Sequence, residues 1–115
     1  MLEVLRPLLS DAVVRRSVGD DAWRRGAIYA QTGRVSELDV APAVPEVAGF
    51  VVGSQGRTYR TVAAYDRGDA SWWGQCSCPV GVDCKHVAAL LIAARSTLAI
   101  ASVQRREPDW ELAFS

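Results

Sequence analysis

The stretch Cys76-Ser77-Cys78-Pro79-Val80-Gly81-Val82-Asp83-Cys84-Lys85-His86 holds every cysteine and the only histidine of this 115-residue chain. Its pattern is C-x-C-x5-C-x-H, three thiols and one imidazole in a single short window. Zn2+ favours four such ligands in a tetrahedron, with sulfur at about 2.3 Å and nitrogen at about 2.0 Å. Three Cys and one His complete that tetrahedron and leave no open position, which is the mark of a structural ion. Zn2+ is therefore the cofactor that Cys76, Cys78, Cys84 and His86 imply.

Other chemistries compete for the same residues. A disulfide leaves one thiol over, and no secretory signal is expected before the motif. A catalytic Cys–His pair needs an activating base and an orienting partner, and metal capture would quench its thiolate. Buried structural cysteines beside a satisfied histidine are the plainest alternative.

The spacing also predicts local structure. Cys76 and Cys78 are two residues apart, so on an extended strand both leave the same face. Pro79 ends ladder pairing and Gly81 permits a reversal. Asp83 stands where a helix N-cap would be, before the apolar run Val87–Ala94. Residues two apart on a helix do not face each other, so Cys84 and His86 share an ion only if Cys84 lies at the cap or first turn. A strand end and a helix start clipped together by zinc are the expectation.

Cys76-x-Cys78 and Cys84-x-His86, followed by Val87-Ala88-Ala89-Leu90-Leu91, resemble the SWIM zinc finger, and Cys-Ser-Cys-Pro with Cys-Lys-His-Val-Ala is similar to its bacterial form. That family occurs in Swi/Snf-type ATPases and Mutator-type transposases. Upstream, Trp23-Arg24-Arg25-Gly26, Tyr29 and Gly33-Arg34-Val35 resemble the lead-in of many bacterial members, and Gly53-Ser54 with Tyr59 resembles a hairpin of the family. The resemblance spans about residues 22–94. It implies an accessory DNA-binding or DNA-proximal module of a chromatin-remodeller or helicase-like system, with a Swi/Snf-type ATPase in cis or in trans.

By length the chain is one domain, residues 1–115, able to bury roughly 65% of its unfolded surface. Cationic and anionic residues number 13 each. The balance holds locally, with six of each sign in residues 1–41, three of each in 42–75 and four of each in 76–115. No basic arm advertises nucleic acid. The longest apolar run, Val87–Ala94, is far below the ~18 residues a membrane span requires. Metal-type cysteine usage points to the cytoplasm.

Read in order, Pro7 interrupts any long helix at the start. Ser10 or Asp11 caps a helix through Arg16 that Gly19 ends. Asp20 and Asp21 open a second, Ala22–Gln31, closed by Gly33. In it Trp23, Ala27 and Ala30 share a face with Ile28 and Tyr29 beside them, and Gly26 signals a close packing contact. Strands follow: a short one around Val35, Leu38 and Val40, a break over 41–45, then Glu46–Val52, Arg57–Tyr65 and Ser71–Cys76. Turns at 53–56 and 67–69 join the last three. A helix from Cys84 to Ala94, with continuation to Val103 open, is apolar nearly all round and belongs in the core. Glu107-Pro108-Asp109 would break it, and Trp110–Phe114 would begin another. The expected class is α+β: N-terminal helices, a small antiparallel β-sheet, and a zinc-clipped strand end with a C-terminal helix.

No G-x-x-x-x-G-K-[ST] loop is present, and Lys85 is the sole lysine. No paired carboxylates or Ser-His-Asp set suggests catalysis. A non-enzymatic module with no small-molecule substrate is the expectation. Candidate nucleic-acid or partner contacts are Arg57, Arg60 and Lys85, with Trp72 or Trp73 as a stacking platform. Adjacent strand residues point opposite ways, so one Trp belongs in the core and the other outside. A solvated sheet face is an equally good account of the arginines. The other class is a protein-interaction module, docking an ATPase or another partner through the apolar helix or an exposed Trp.

Overall fold

A computed structural model describes residues 5–41, 45–53, 55–79, 81 and 84–106. They form the one-turn helix α1 (Leu5–Leu8), then α2 (Asp11–Val18), α3 (Asp20–Gln31), strands β1 (Val35–Ala41), β2 (Glu46–Val52), β3 (Thr58–Asp66) and β4 (Ser71–Cys76), and α4 (Lys85–Arg106). The class is α+β, as expected. The expected features at residues 42–44, Ser54, Asp83 and beyond Arg106 lie outside the described residues.

The N-terminal helices start and stop for local reasons. Ser10 caps α2, its hydroxyl accepting from the Val13 N–H at 3.3 Å. Gly19, at φ 94, ends α2 and begins α3 at once, so α3 starts at Asp20, two residues before the expected Ala22. Asp20 and Asp21 then sit in its first turn, where the helix dipole favours them.

The sheet is an antiparallel meander in the order β1-β2-β3-β4. Alternation fixes its faces. Val47, Gly49 and Val51 of β2, Thr61 and Ala63 of β3, and Trp72, Gly74 and Cys76 of β4 face the core. β3 runs one residue later than expected, from Thr58 to Asp66. Trp72 is 2% exposed and Trp73 52%, the predicted division. Trp72 donates from its indole nitrogen to the Leu8 carbonyl at 2.8 Å. The free edge of β4 is partly sealed, because the Ser17 hydroxyl takes the Trp72 N–H and the Gly81 carbonyl takes that of Cys76. Edge strand β1 carries Glu37 at φ 51 within an irregular pairing between Ser36 and Asp39, which discourages further pairing.

α4 fills the inner face, with Val87 to Leu91 and Ala94 fully buried. Three glycines make room for it. A Cβ on Gly26 of α3 would lie 2.5 Å from the Ala88 Cβ, one on Gly49 2.9 Å from Leu90, and one on Gly74 2.6 Å from Val87. The predicted close contact at Gly26 is therefore the crossing of α3 with α4. Among the described residues no helix is long and apolar enough to cross a membrane.

Candidate metal centre

Cys76 is the last residue of β4, and the chain bends through residues 77–79. The Cys76 N–H donates to the Gly81 carbonyl at 2.8 Å, and Gly81 sits at φ 87. Cys76 and Cys78 are both buried with Ser77 exposed between them, and the Ser77 N–H still donates to the Arg60 carbonyl at 3.1 Å, so the strand's alternation carries on into the turn. Its geometry also aims the Cys78 N–H at the Cys76 sulfur. Cys84 stands just before α4 and its carbonyl accepts the Ala88 N–H at 3.1 Å, so the cysteine itself occupies the cap. Its sulfur receives the N–H groups of His86 and Val87. The cap is one of the two placements that let Cys84 and His86 share an ion.

The four ligand atoms lie within 4.8 Å of one another, and all four residues are buried. His86 Nδ1 is 3.5 Å from the sulfurs of both Cys76 and Cys84, and the Cys78 and Cys84 sulfurs are 3.6 Å apart. A tetrahedral zinc site has S···N edges of about 3.5 Å and S···S edges of about 3.8 Å. The three sulfurs and Nδ1 therefore fit Zn2+, and Nδ1 is the nitrogen that faces it. Zinc held there would bond the end of β4 to the start of α4.

The surroundings suit thiolates held by a metal rather than bare ones. Burial pushes the Cys84 thiol up to about 12 and raises Cys76 as well, while the Thr61 hydroxyl, 3.5 Å from the Cys76 sulfur, pulls Cys76 back. Burial, with the Lys85 charge beside it, lowers His86 and keeps the imidazole neutral. A neutral ring is the form that binds a metal.

Residues 74–95 match the family model described as SWIM zinc finger. The chain carries a SWIM zinc finger. No curated protein and no solved structure matches it.

The structure extends the SWIM centre beyond its four ligands. The His86 ring packs against Tyr59 at 4.8 Å and Tyr29 at 5.7 Å between centroids. Arg34 lies 4.8 Å over Tyr29 and donates to the Gly53 carbonyl at 2.9 Å. Tyr29, Arg34, Gly53 and Tyr59, which looked like separate lead-in and hairpin features, thus buttress one histidine. Thr61 was not among the site residues expected from sequence; the signal for it was its place on the core face of β3.

The contact candidates divide. Arg57 and Arg60 are exposed at the metal end of β3. Lys85 is half-buried, with its ammonium 5.5 Å from the Tyr29 ring. Trp72 is a core residue and offers no ring for stacking; Trp73 does. Of the apolar helix, Val87–Leu91 and Ala94 are spent on the core and offer a partner no surface.

Proposed function

We propose that this SWIM module is an accessory, non-enzymatic nucleic-acid-binding domain, with DNA as its first target, working beside a Swi/Snf-type ATPase on the same or another chain. The carrying observation is the outer face of the sheet. Ala48, Phe50, Val62 and Ala64 point outward there and are partly exposed, with Trp73 half-exposed. Arg60 pairs with Phe50 across β2 and β3, and Trp73 with Ala64 across β3 and β4. A sheet with aromatic rings and arginine on its open face is a platform on which bases stack and phosphates pair. The zinc centre fixes the end of β4 that borders this face.

A second reading uses the same face for a protein. Zero net charge and the apolar Ala48, Val62 and Ala64 around Trp73 favour it. Salt separates the two. Binding to a short DNA, single-stranded and duplex, is measured by fluorescence anisotropy across a salt series. The nucleic-acid reading expects affinity to fall steeply with salt, and Arg57→Ala with Arg60→Ala to flatten the slope by about one unit or more. Absence of DNA binding at low salt contradicts it and leaves the protein partner.

A further inference from the structure

The strand registers set the outer face of the sheet out as a grid. Ser36, Phe50 and Arg60 stand side by side across β1, β2 and β3. The next row is Asp39, Ala48, Val62 and Gln75, and the third is Ala41, Glu46, Ala64 and Trp73. We infer that this face selects single-stranded nucleic acid over duplex, with Phe50 and Trp73 each stacking an unpaired base and Arg60 pairing with phosphate. The inference rests on the nucleic-acid reading above and names the form of nucleic acid that the face takes.

The two rings are placed for bases that have come apart. Phe50 on β2 and Trp73 on β4 lie in the first and third rows, at opposite corners of the face. At about 3.4 Å per residue and about 4.8 Å between strands, their Cα atoms are about 17 Å apart. Between them lie only the short side chains of Ala48, Val62 and Ala64 and the amide of Gln75. Trp73 is 52% exposed and Phe50 partly so, and both keep ring surface for contact. In a duplex every base is covered on both faces by neighbours about 3.4 Å away, and rings set this far apart in one plane find no free base to stack on. Splayed bases of a single strand offer their faces one at a time, as sheet platforms require. Gln75, exposed in the middle row, gives a base edge both a donor and an acceptor.

The charges select in the same direction. Arg57, Arg60 and Arg67 are exposed along β3 and just beyond its two ends, and Arg67 borders one cleft with Ala64 and Trp73. Carboxylates occupy the rest of the face. Asp39 and Glu46 lie toward β1, and Asp66 closes β3 with its Oδ1 taking the Gly68 N–H at 2.9 Å. A face with no protruding helix or ribbon meets a duplex through its phosphates, and two strands of phosphate would overlie Asp39 and Glu46. A single strand running along β3 and β4 sets its bases on the apolar floor and its phosphates near the three arginines. It leaves the acidic side uncovered.

The test presents one short DNA sequence to the zinc-loaded protein as a single strand, as a duplex and as a single strand of abasic nucleotides, with binding read by fluorescence anisotropy at fixed low salt. The single strand is expected to bind about tenfold or more tighter than either of the others, since the abasic strand keeps the phosphates and loses only the stacking. Phe50→Leu and Trp73→Leu keep apolar bulk without a ring. Each should weaken the single strand about tenfold with zinc content and thermal unfolding unchanged, and Trp73→Phe should restore most of the loss. If a variant fails to fold, the comparison of the three strands on the wild-type protein decides. Equal affinity for the duplex or for the abasic strand overturns the single-strand inference and leaves the nucleic-acid function standing. Folded Leu variants that bind as tightly as wild type overturn the stacking roles. Binding to none of the three overturns both readings and returns the face to a protein partner.

Discussion

At the scale of single residues, the metal centre is a competition between zinc and protons. Burial raises Cys76 and Cys84 in the metal-free chain, so both thiols hold protons at neutral pH, while His86 is lowered and holds none. Zinc uptake at pH 7 should therefore release two protons from Cys76 and Cys84, before Cys78 is counted, and none from His86. Calorimetry in buffers of different ionisation enthalpy counts them, and a release below two contradicts the assignment. The sign for stability reverses with the metal. Without zinc, folded thiols bind protons more tightly than unfolded ones, so stability is present at neutral pH and is lost as pH rises above the thiol range toward about 12. With zinc, stability is lost as pH falls. Thr61 belongs to the same balance, because its hydroxyl supports the Cys76 thiolate. Thr61→Val should lower zinc affinity about tenfold and Thr61→Ser restore it, as read by competition with a chromophoric chelator.

At the scale of elements, α4 is held by glycines on one side and by the metal ligands at its start. Gly26→Ala in an open helix would gain about 1 kcal/mol. Here the new methyl would lie 2.8 Å from the backbone at both Lys85 and Ala89, which cannot yield as a flexible side chain would. The substitution should cost about 1–3 kcal/mol in urea unfolding of the zinc-loaded protein, and should weaken zinc because Cys84 and His86 ride on the displaced turn. A stabilised variant would refute the crossing. Element boundaries were legible where punctuation was strong. β2 and β4 were readable residue for residue, between Pro45 and the turns after Val52 and before Ser71. Their alternation also placed Trp72 inside and Trp73 outside. The length of α4 was not legible: Ala and Leu without Gly or Pro give no stop signal before Pro108, and the helix runs through Arg106.

Across the whole molecule, the four ligands were legible because chemistry and spacing coincide in eleven consecutive residues. Their support was not. Tyr29, Gly53 and Tyr59 meet His86, and Arg34 ties Tyr29 to Gly53, only because α3, the β2–β3 turn and α4 converge at one end of the sheet, which no local pattern reveals. The same holds for the outer face, where Trp73 stands clear of the core. Trp73→Ala should leave thermal stability nearly unchanged, while partner binding is lost, whichever partner the face takes. A large stability loss would return Trp73 to the core. So small a unit leans on its metal, whose binding contributes on the order of 10 kcal/mol to folding. The most direct test is the zinc content of the purified protein, followed by circular dichroism and thermal unfolding after chelation. One zinc per chain, with loss of cooperative unfolding on its removal and in Cys84→Ser, is the predicted result. A metal-free protein that stays fully folded would contradict it.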